Sequence, residues 1–472
     1  MSCSTSNPAE SALPQDIQDK IHNHPCYSEG AHHHYARIHV AVAPACNIQC
    51  NYCNRKYDCS NESRPGVTSE RLTPIESAKK VMYVGGEVHR LSVLGIAGPG
   101  DALANPKKTF ETFKLVREKA PDLKLCLSTN GLELPKFVDE MVKYDIDHIT
   151  ITINTVDATG EIGSKIYPWI FYNNKRIYGK EAAKILLERQ LEGMKMCVEK
   201  GILIKANSVL IPGVNDKHLA EVSKKLKEIG VFLHNIMPII SEPEHGTAFG
   251  LGGVPSATDQ QQMEVQEACG MDMKLMQHCR QCRADAVGLI GEDRGQEFTK
   301  NVFSEMSFDK LEDHYNITAR QEAQAKVEEF RHFLDKANER VVKEKAELSS
   351  DGHTILVAVT TAGEGMINQH FGSVREFLIY EAGDKGIRFI HHRKLDYEYC
   401  AGPEGGNPIE PILEKLKDCK LILTAKIGGC PQDDLASAGL IADQSYAYEP
   451  IEASVLKATR KYFNLPEAIE AN

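Results

Sequence analysis

No apolar run in this 472-residue sequence approaches the roughly 18 residues that a membrane span requires. The first residues, Met-Ser-Cys-Ser-Thr-Ser-Asn-Pro, lack the basic and apolar regions of a signal peptide. Basic residues are also too few for a nucleic-acid partner, because 55 Lys and Arg against 66 Asp and Glu leave a net charge of −11. We therefore expect a cytoplasmic protein that binds neither membranes nor nucleic acid.

Cysteine and histidine are concentrated near the N-terminus. The first 59 residues contain six of the 14 cysteines, and the first 39 contain six of the 18 histidines. A cytosolic chain of this length does not need disulfides for stability, so clustered thiols indicate metal or redox chemistry. We interpret the run His32–His34 as a solvated loop.

The order of elements predicts an α/β fold with a partial barrel. From about residue 37, short β-rich runs alternate with helical stretches, which is typical of a parallel α/β unit. The predicted strands are Arg37–Ala43, Leu91–Ala97, Lys124–Thr129, His148–Asn154, Leu203–Ile211 and Phe232–Pro238. The predicted helices lie near Pro74–Val84, Pro106–Lys119, Pro135–Tyr144, Lys180–Lys200 and Lys217–Ile229. Six repeats are two short of a full barrel, so we expect an open (β/α)6 barrel with ligands at the C-terminal ends of its strands.

A second, smaller α/β domain is predicted at the C-terminus. The stretch Lys300–Leu348 is charged and contains no glycine or proline, which favours a linker followed by a solvated helix. A new β pattern begins at Thr354. We divide the chain into a Cys/His-rich extension (1–36), the barrel with its C-terminal loop (37–298), the charged linker and helix (299–350) and the second domain (351–472).

The strongest chemical signal follows the first strand, in Cys46-Asn-Ile-Gln-Cys50-Asn-Tyr-Cys53. Three thiolates on one loop can bind three irons of a 4Fe–4S cluster and leave the fourth iron open to a small molecule. The spacing, Tyr52 and the position after the first strand resemble the radical S-adenosylmethionine (SAM) superfamily. That resemblance implies a cluster that delivers one electron to SAM. The alternative is a structural zinc site, which usually has four protein ligands.

The same resemblance implies residues that contact SAM. The turn Gly95-Ile-Ala-Gly98-Pro-Gly-Asp101 replaces the usual Gly-Gly-Glu form, so Gly98 is a candidate through its backbone, while a role for Asp101 is not implied. Thr129, Asn130 and Asn154 end strands and are candidates for contacts with SAM. For Asn130 the alternative is turn formation, because Asn-Gly is a turn signal by itself.

Five further thiols and one imidazole are expected around the same barrel mouth. They are Cys26, Cys59, Cys126, the pair Cys279 and Cys282, and His39 on the first strand. Together they could hold two more iron–sulfur clusters with three protein ligands each. Taken alone, Cys126 could instead be a small buried side chain and His39 a core residue.

In combination, these stretches resemble the NifB family of radical SAM proteins in nitrogenase cofactor biosynthesis. The resemblance covers about residues 20–290 and includes His24-Pro-Cys-Tyr, Arg37-Ile-His-Val-Ala-Val-Ala-Pro, Ile211-Pro-Gly-Val-Asn-Asp and Cys279-Arg-Gln-Cys-Arg-Ala-Asp. It implies two precursor 4Fe–4S clusters beside the SAM-binding cluster. One is assigned to His39, Cys59 and Cys126, and the other to Cys26, Cys279 and Cys282.

The C-terminal domain resembles the NifX-like domains that bind the dinitrogenase iron–molybdenum cofactor. The matching segments are Met366-Ile-Asn-Gln-His370-Phe-Gly-Ser and Phe377-Leu-Ile-Tyr380. His370 could bind a cofactor in transit or could cap a turn. The other cysteines divide into two weaker candidates and four that we expect not to bind metal. The weaker candidates are Cys400 and Cys430, and the others are Cys3, Cys197, Cys269 and Cys419.

The resemblance implies an enzyme that fuses two 4Fe–4S clusters and inserts a SAM-derived carbide to form an 8Fe–9S–C core. Glu62 and Arg64 are candidates for proton handling. Expected partners are cofactor scaffold and carrier proteins, iron–sulfur delivery proteins, and a low-potential electron donor such as ferredoxin. Two alternatives remain: a radical SAM enzyme that modifies a peptide or small molecule, and a non-catalytic iron–sulfur carrier.

Overall fold

The computed structural model describes residues 13–28, 30–271, 273–345, 354–383, 386–395, 398–399 and 408–464. Cys3 and Cys400 lie outside these residues. The chain divides into two compact units, one of residues 13–325 and one that contains the described residues from Lys326 onward. In the described part of the chain, no helix has the length and apolar character needed to cross a membrane.

The described strands run in chain order as follows: β1 Ala36–His39, β2 Ile48–Gln49, β3 Leu91–Ile96, β4 Lys124–Thr129, β5 His148–Thr152, β6 Trp169–Tyr172, β7 Lys175–Tyr178, β8 Leu203–Leu210, β9 Leu233–Pro238, β10 Val287–Gly288, β11 Thr354–Val359, β12 Glu376–Gly383, β13 Gly386–Lys394, β14 Cys419–Leu423 and β15 Ile441–Asp443.

The described α-helices are Gln15–Ile21, Pro74–Glu87, Pro106–Lys119, Val138–Lys143, Glu161–Ile166, Gly179–Glu199, Leu219–Ile229, Ala248–Leu251, Asp259–Gly270, Lys300–Phe303, Phe308–Tyr315, Ile317–Lys345, Glu410–Leu416, Gly429–Ser437 and Ile451–Tyr462.

The main sheet of the first unit confirms the partial barrel. Its strand order is β10-β1-β3-β4-β5-β8-β9, and the six strands from β1 to β9 in that order are parallel. The two-residue strand β10 pairs antiparallel with β1 and was not predicted. The first strand ends at His39 instead of Ala43. The next four residues are apolar and buried, so hydrophobicity alone did not mark the end of the strand.

A second, small sheet of the first unit was also missed. Strands β2, β6 and β7 pair antiparallel in that order. The two-residue β2 lies between Cys46 and Cys50, and it is too short to give a periodic signal. The loop that carries the three thiols is therefore held by a hairpin from a distant part of the sequence.

Helices pack apolar faces onto the barrel sheet. The helix Pro74–Glu87 shows why the sequence forms them: Thr73 accepts a hydrogen bond from the amide of Glu76, whose side chain accepts one in return, and Pro74 occupies the first turn. Val81 and Val84 on this helix are fully buried. Opposite them, β3 is buried along its whole length, as expected for a parallel strand covered on both faces.

The stretch after residue 300 differs from the predicted linker. Phe303, Leu311 and Tyr315 are buried, and they belong to the apolar core of the first unit. The guanidinium of Arg320 is fully buried and contacts the Asp122 carboxylate at 2.8 Å. The high charge of the segment predicted a solvated linker, but one of its charged residues, Arg320, is buried in the core.

The second unit confirms the smaller α/β domain. Its sheet has the order β13-β12-β11-β14-β15, with β13, β12 and β11 antiparallel and β11, β14 and β15 parallel. Apolar clusters cover both faces of this sheet. Cys419, which we expect not to bind metal, is buried in one of these clusters.

Candidate functional site

A cavity of about 290 Å³ opens among the inward-facing side chains of the barrel. Eight of the nine predicted metal ligands line it, and the ninth, Cys59, is half-buried and is not part of the lining. The eight are Cys26, His39, Cys46, Cys50, Cys53, Cys126, Cys279 and Cys282. The fold thus brings together thiols separated by up to about 250 residues, as expected for the ligand end of a parallel barrel.

The loop with Cys46, Cys50 and Cys53 is fixed by close backbone contacts with the glycine-rich turn. The Gly100 amide donates to the carbonyl of Ala43 at 2.7 Å, and the Asp101 amide donates to that of Ala45 at 2.8 Å. A Cβ atom at Gly100 would lie 2.1 Å from the Ala45 oxygen, so no other residue fits there without moving the loop. Gly98 itself is not among the residues that line the cavity, although Pro99 and Gly100 are.

Asp101 is an anchor that sequence reasoning missed. Its buried carboxylate accepts hydrogen bonds from the amides of Leu103 and Asn130, at 2.9 and 2.6 Å, and from the Thr129 hydroxyl at 3.0 Å. Burial raises the pKa of Asp101, and these hydrogen bonds oppose that shift. The carboxylate joins the turn after β3 to the end of β4. No sequence signal marked this role, because the burial of Asp101 is apparent only in the folded chain.

Thr129 and Asn130 line the cavity as predicted SAM contacts would. The Asn130 side chain also donates to Asn47 at 2.7 Å and contacts the Cys46 sulfur at 3.8 Å. Asn130 therefore takes part in both the turn and the thiol loop. Turn formation and a contact with SAM, the two alternatives that the sequence left open, are compatible with this position.

Asn154 lies behind Tyr52 and is not among the lining residues. Its amide donates to the hydroxyls of Tyr52 and Tyr167, at 3.0 and 2.8 Å, and its oxygen accepts from the Val209 amide at 2.7 Å. Tyr52 and Tyr167 do line the cavity. In this arrangement Asn154 orients the two tyrosines, and its contact with SAM stays a prediction.

Burial favours the protonated form of the three loop thiols when no metal is bound to them. It raises the pKa of Cys46 to about 12 and also raises the pKa values of Cys50 and Cys53. Among the described residues, no three His, Cys, Asp or Glu side chains converge as the site of a single metal ion requires. A 4Fe–4S cluster makes a different demand, because each thiolate binds its own iron, whereas structural zinc needs four ligands on one ion.

A second group of thiols surrounds a buried lysine that was not predicted. Burial lowers the pKa of Lys205, but Cys26, Cys279, Cys126 and Cys282 raise it, and the net shift is upward. Lys205 lies in the middle of β8 and lines the cavity. Its ammonium group is therefore a cation among four candidate ligands.

Arg37 brings a second cation to this group. Its guanidinium donates to the Cys282 sulfur at 3.3 Å and to the carbonyls of Gly288 and Leu289, at 2.5 and 2.8 Å. The carbonyls fix the plane of the guanidinium, so its charge stays directed at the cavity. Both cations lie on strands whose alternation gave no sign of function.

His39 and Cys126 lie on the same level of the sheet. His39 pairs with Gly95 on β3, and Gly95 pairs with Cys126 on β4. A Cβ at Gly95 would lie 2.8 Å from the His39 ring, so the glycine makes room for the imidazole. Burial lowers the pKa of His39 to about 4, which keeps the ring neutral.

The ring nitrogens of His39 have different roles. Nδ1 lies 3.0 Å from the carbonyl oxygen of Arg283, which can only accept. The proton therefore sits on Nδ1, and the lone pair of Nε2 is free to bind a metal.

Arg283 connects Cys59 and Glu62, one of the proton-handling candidates, to His39, whose ring contacts the Arg283 carbonyl. Its guanidinium donates to the carbonyls of Cys59, at 2.7 Å, and of Glu62. Burial raises the pKa of Glu62, but ion pairs with Lys56 and Arg64 outweigh it and lower the value, so the carboxyl is ionised. Arg64 lines the cavity and Glu62 does not.

The interpretation of His32–His34 as a solvated loop is wrong. His32 and His34 are 8% and 5% exposed. The His32 ring stacks on that of His278, next to Cys279, with the ring centres 4.5 Å apart. Consecutive polar residues suggested a surface, but aromatic stacking against a distant loop buries them.

The candidate residues of the second unit lie near one another in its fold. His370 is exposed and forms an isolated bridge with Lys426, and the Phe371 amide donates to the Lys426 carbonyl at 2.8 Å. Cys430, also exposed, lies in the first turn of the helix Gly429–Ser437. His370 makes no side-chain cap of the short helical turn that follows it, which disfavours the capping alternative.

Comparison with known proteins gives two family matches and many full-length relatives. Residues 40–226 match the radical SAM superfamily, and residues 353–461 match the dinitrogenase iron-molybdenum cofactor family. Among the relatives, the "FeMo cofactor biosynthesis protein NifB" of Herbaspirillum seropedicae is 53% identical, over 96% of this chain and 85% of that protein. The proteins of the same name from Bradyrhizobium diazoefficiens and Azotobacter vinelandii are 54% and 50% identical, over 95% and 98% of this chain and 89% and 92% of their own lengths.

Proposed function

The chain belongs to the NifB family of FeMo cofactor biosynthesis proteins, and from that premise we propose that it fuses two 4Fe–4S clusters and inserts a carbide derived from SAM, giving the 8Fe–9S–C precursor of the nitrogenase cofactor. It is a radical SAM enzyme with a role in FeMo cofactor biosynthesis, which requires SAM and a 4Fe–4S cluster. The observation that best supports the proposed cluster fusion and carbide insertion is that seven thiols and one imidazole line one cavity.

The resident cluster is assigned to Cys46, Cys50 and Cys53. Soft thiols on one short loop suit iron–sulfur chemistry, and their raised pKa values mean that an adjacent positive charge is needed to hold them as thiolates. When bound, this cluster and SAM supply the one-electron cleavage that creates a radical able to remove hydrogen from a methyl group. The chain itself fixes the loop through the turn at Gly100, and Tyr52 and Tyr167 line the cavity beside it.

The two further clusters are substrates, assigned to the remaining ligands. Burial raises the pKa of Cys26, and the nearby Cys282 and Cys279 raise it further, so these three thiols would hold one of the clusters. His39 and Cys126, adjacent through Gly95, would hold the other together with Cys59.

Lys205 and Arg37 would stabilise these substrates electrostatically. A 4Fe–4S cluster with three thiolates carries negative charge, and a fused product carries more in the same volume. Two cations that face this cavity therefore favour the bound and fused states.

Glu62 and Arg64 remain the candidates for proton handling. The Glu62 carboxylate is ionised at neutral pH and accepts a hydrogen bond from the Arg64 side chain at 2.7 Å, and Arg64 lines the cavity. The second unit would hold or deliver the product through His370, for downstream scaffold and carrier proteins.

The proposal is tested by supplying SAM with an isotopically labelled methyl group and dithionite to anaerobically reconstituted protein. We expect 5′-deoxyadenosine, and the label in the extracted cluster product. Deoxyadenosine without label in the cluster would favour modification of another substrate, and no deoxyadenosine would favour a carrier.

Iron counting provides a test of the ligand set with a matched control. Burial raises the pKa of both Cys126 and Cys197 to about 12, but only Cys126 lines the cavity. We expect Cys126→Ser to lower the bound iron after reconstitution, and Cys197→Ser to leave it unchanged.

A further inference from the structure

The hairpin of strands β6 and β7, residues 169–178, is bonded to the thiol loop through its backbone. Ile170 pairs with Ile48, and Trp169 pairs with Gln49, both between Cys46 and Cys50. The Phe171 amide donates to the Asn47 carbonyl at 2.6 Å. Neighbouring strands lie about 4.8 Å apart, so the hairpin is the nearest protein layer to one side of this loop.

The exposed side of the hairpin is cationic and aromatic. From Lys165 to Lys180 the sequence has four basic residues and no acidic residue, in a chain whose net charge is −11, and one of the four, Lys180, forms an ion pair with Glu161. Lys175 and Arg176 are exposed, and the Arg176 guanidinium lies 4.4 Å from the centre of the Trp169 ring. Phe171 and Tyr178 are 47% and 60% exposed.

The turn of the hairpin projects these groups outward. Asn173 and Asn174 both have positive φ, 49° and 59°, which is the geometry of a two-residue turn between twisted strands. Exposed aromatics next to a cationic cluster are the composition of a protein interaction surface, not of an ordinary solvated hairpin.

The chemistry of the thiol loop indicates what would bind there. A radical SAM enzyme consumes one electron for each SAM that it cleaves, and a protein that donates this electron is far too large for a cavity of about 290 Å³. The donor must approach from outside, and electron transfer is fastest where the protein layer over the cluster is thinnest. The hairpin is exposed and is bonded directly to the segment between Cys46 and Cys50, so a carrier docked on it would be separated from the loop by this one layer of protein.

We propose that this cationic hairpin is the docking surface for a small acidic one-electron carrier protein. The carrier loses one electron and the cluster held by Cys46, Cys50 and Cys53 gains it, with no transfer of atoms. The inference rests on the proposed assignment of these three thiols to the cluster. Charge complementarity selects the partner, because an acidic carrier is attracted to this cationic segment of a chain whose net charge is −11.

The test compares two double charge reversals. Lys175→Glu with Arg176→Glu changes the hairpin, and Lys224→Glu with Lys227→Glu makes the same change in charge on the helix Leu219–Ile229, where both lysines are exposed. The probe is a recombinant acidic ferredoxin. Its binding is measured by calorimetry, and deoxyadenosine formation is measured with reduced ferredoxin and, separately, with dithionite.

We expect the hairpin variant to bind ferredoxin at least about tenfold more weakly and to lose ferredoxin-driven turnover to a similar extent. Turnover with dithionite should be unchanged, and so should both activities of the helix variant. Added salt should weaken ferredoxin-driven turnover of the wild type more than that of the hairpin variant.

Three results would overturn the docking surface: unchanged ferredoxin binding, an equal loss in the helix variant, or an equal loss with dithionite, which would make the hairpin a support for the loop. Absence of deoxyadenosine from the wild type with dithionite would instead reject the cluster assignment, so the two failures are distinguishable.

Discussion

Replacing Arg320 should destabilise the barrel unit far more than its place in a charged, predicted linker suggests. Its guanidinium donates to Asp122 at 2.8 and 3.1 Å, to the Gly85 carbonyl at 2.9 Å and to the Leu91 carbonyl at 2.6 Å. It also lies 4.5 Å from the centre of the Tyr315 ring. These contacts connect the end of the helix Pro74–Glu87 and the start of β3 to residues 315–320 of the same unit.

The magnitude follows from burial. Arg320→Met keeps most of the aliphatic volume but leaves Asp122, whose side chain is 14% exposed, without its cationic partner. Removing one member of a buried ion pair costs about 3–5 kcal/mol. Domains are stable by only about 5–15 kcal/mol, so this loss takes a large share of the total.

The assay uses the only tryptophan in the sequence, Trp169, which lies in the barrel unit. Its fluorescence during anaerobic denaturant unfolding reports on that unit in the full-length chain. The control is Lys119→Met, which removes an exposed ion pair with Glu312 and should shift the midpoint little, and less still at high salt. A shift for Arg320→Met no larger than that of the control would refute the reasoning, and residues 300–325 would then be the linker that the sequence suggested.

Three further predictions concern the chemistry. Cys50→Ala should reduce deoxyadenosine formation to background while the other clusters assemble, because two thiolates hold the cluster poorly; undiminished formation would reject the assignment. His39→Ala should abolish a nitrogen coupling in pulsed magnetic-resonance spectra of a precursor cluster, since Nε2 is free to bind, and a surviving coupling would place the nitrogen ligand elsewhere. A chain ending at Ser350 should still make the carbide-containing core. His370→Ala in the full chain should weaken only the retention or transfer of the product, as measured by product release. A truncated protein that binds its iron without making the core would contradict the assignment of the chemistry to the first unit.

The sequence by itself determined the elements whose signal is local. Alternation and Pro placement located the six parallel strands and the helices between them, and β4 and the helix Pro106–Lys119 have the predicted bounds. The spacing of Cys46, Cys50 and Cys53 indicated its chemistry because three thiols within eight residues stay close together whatever the rest of the fold. The second domain was visible for the same reason, since its β pattern restarts after a long charged segment.

Only the tertiary structure decided which distant residues meet. Lys205 has the sequence context of an ordinary polar residue in a strand. Its position near four thiols, one of which (Cys26) is 179 residues away in the chain, depends on the folded structure. The burial of Asp101 and Arg320 likewise depends on partners that periodicity does not reveal. Charge in a sequence predicts a surface on average, but a charged group that finds several donors or acceptors at a crossing of elements becomes an interior anchor, and that crossing exists only in the folded chain.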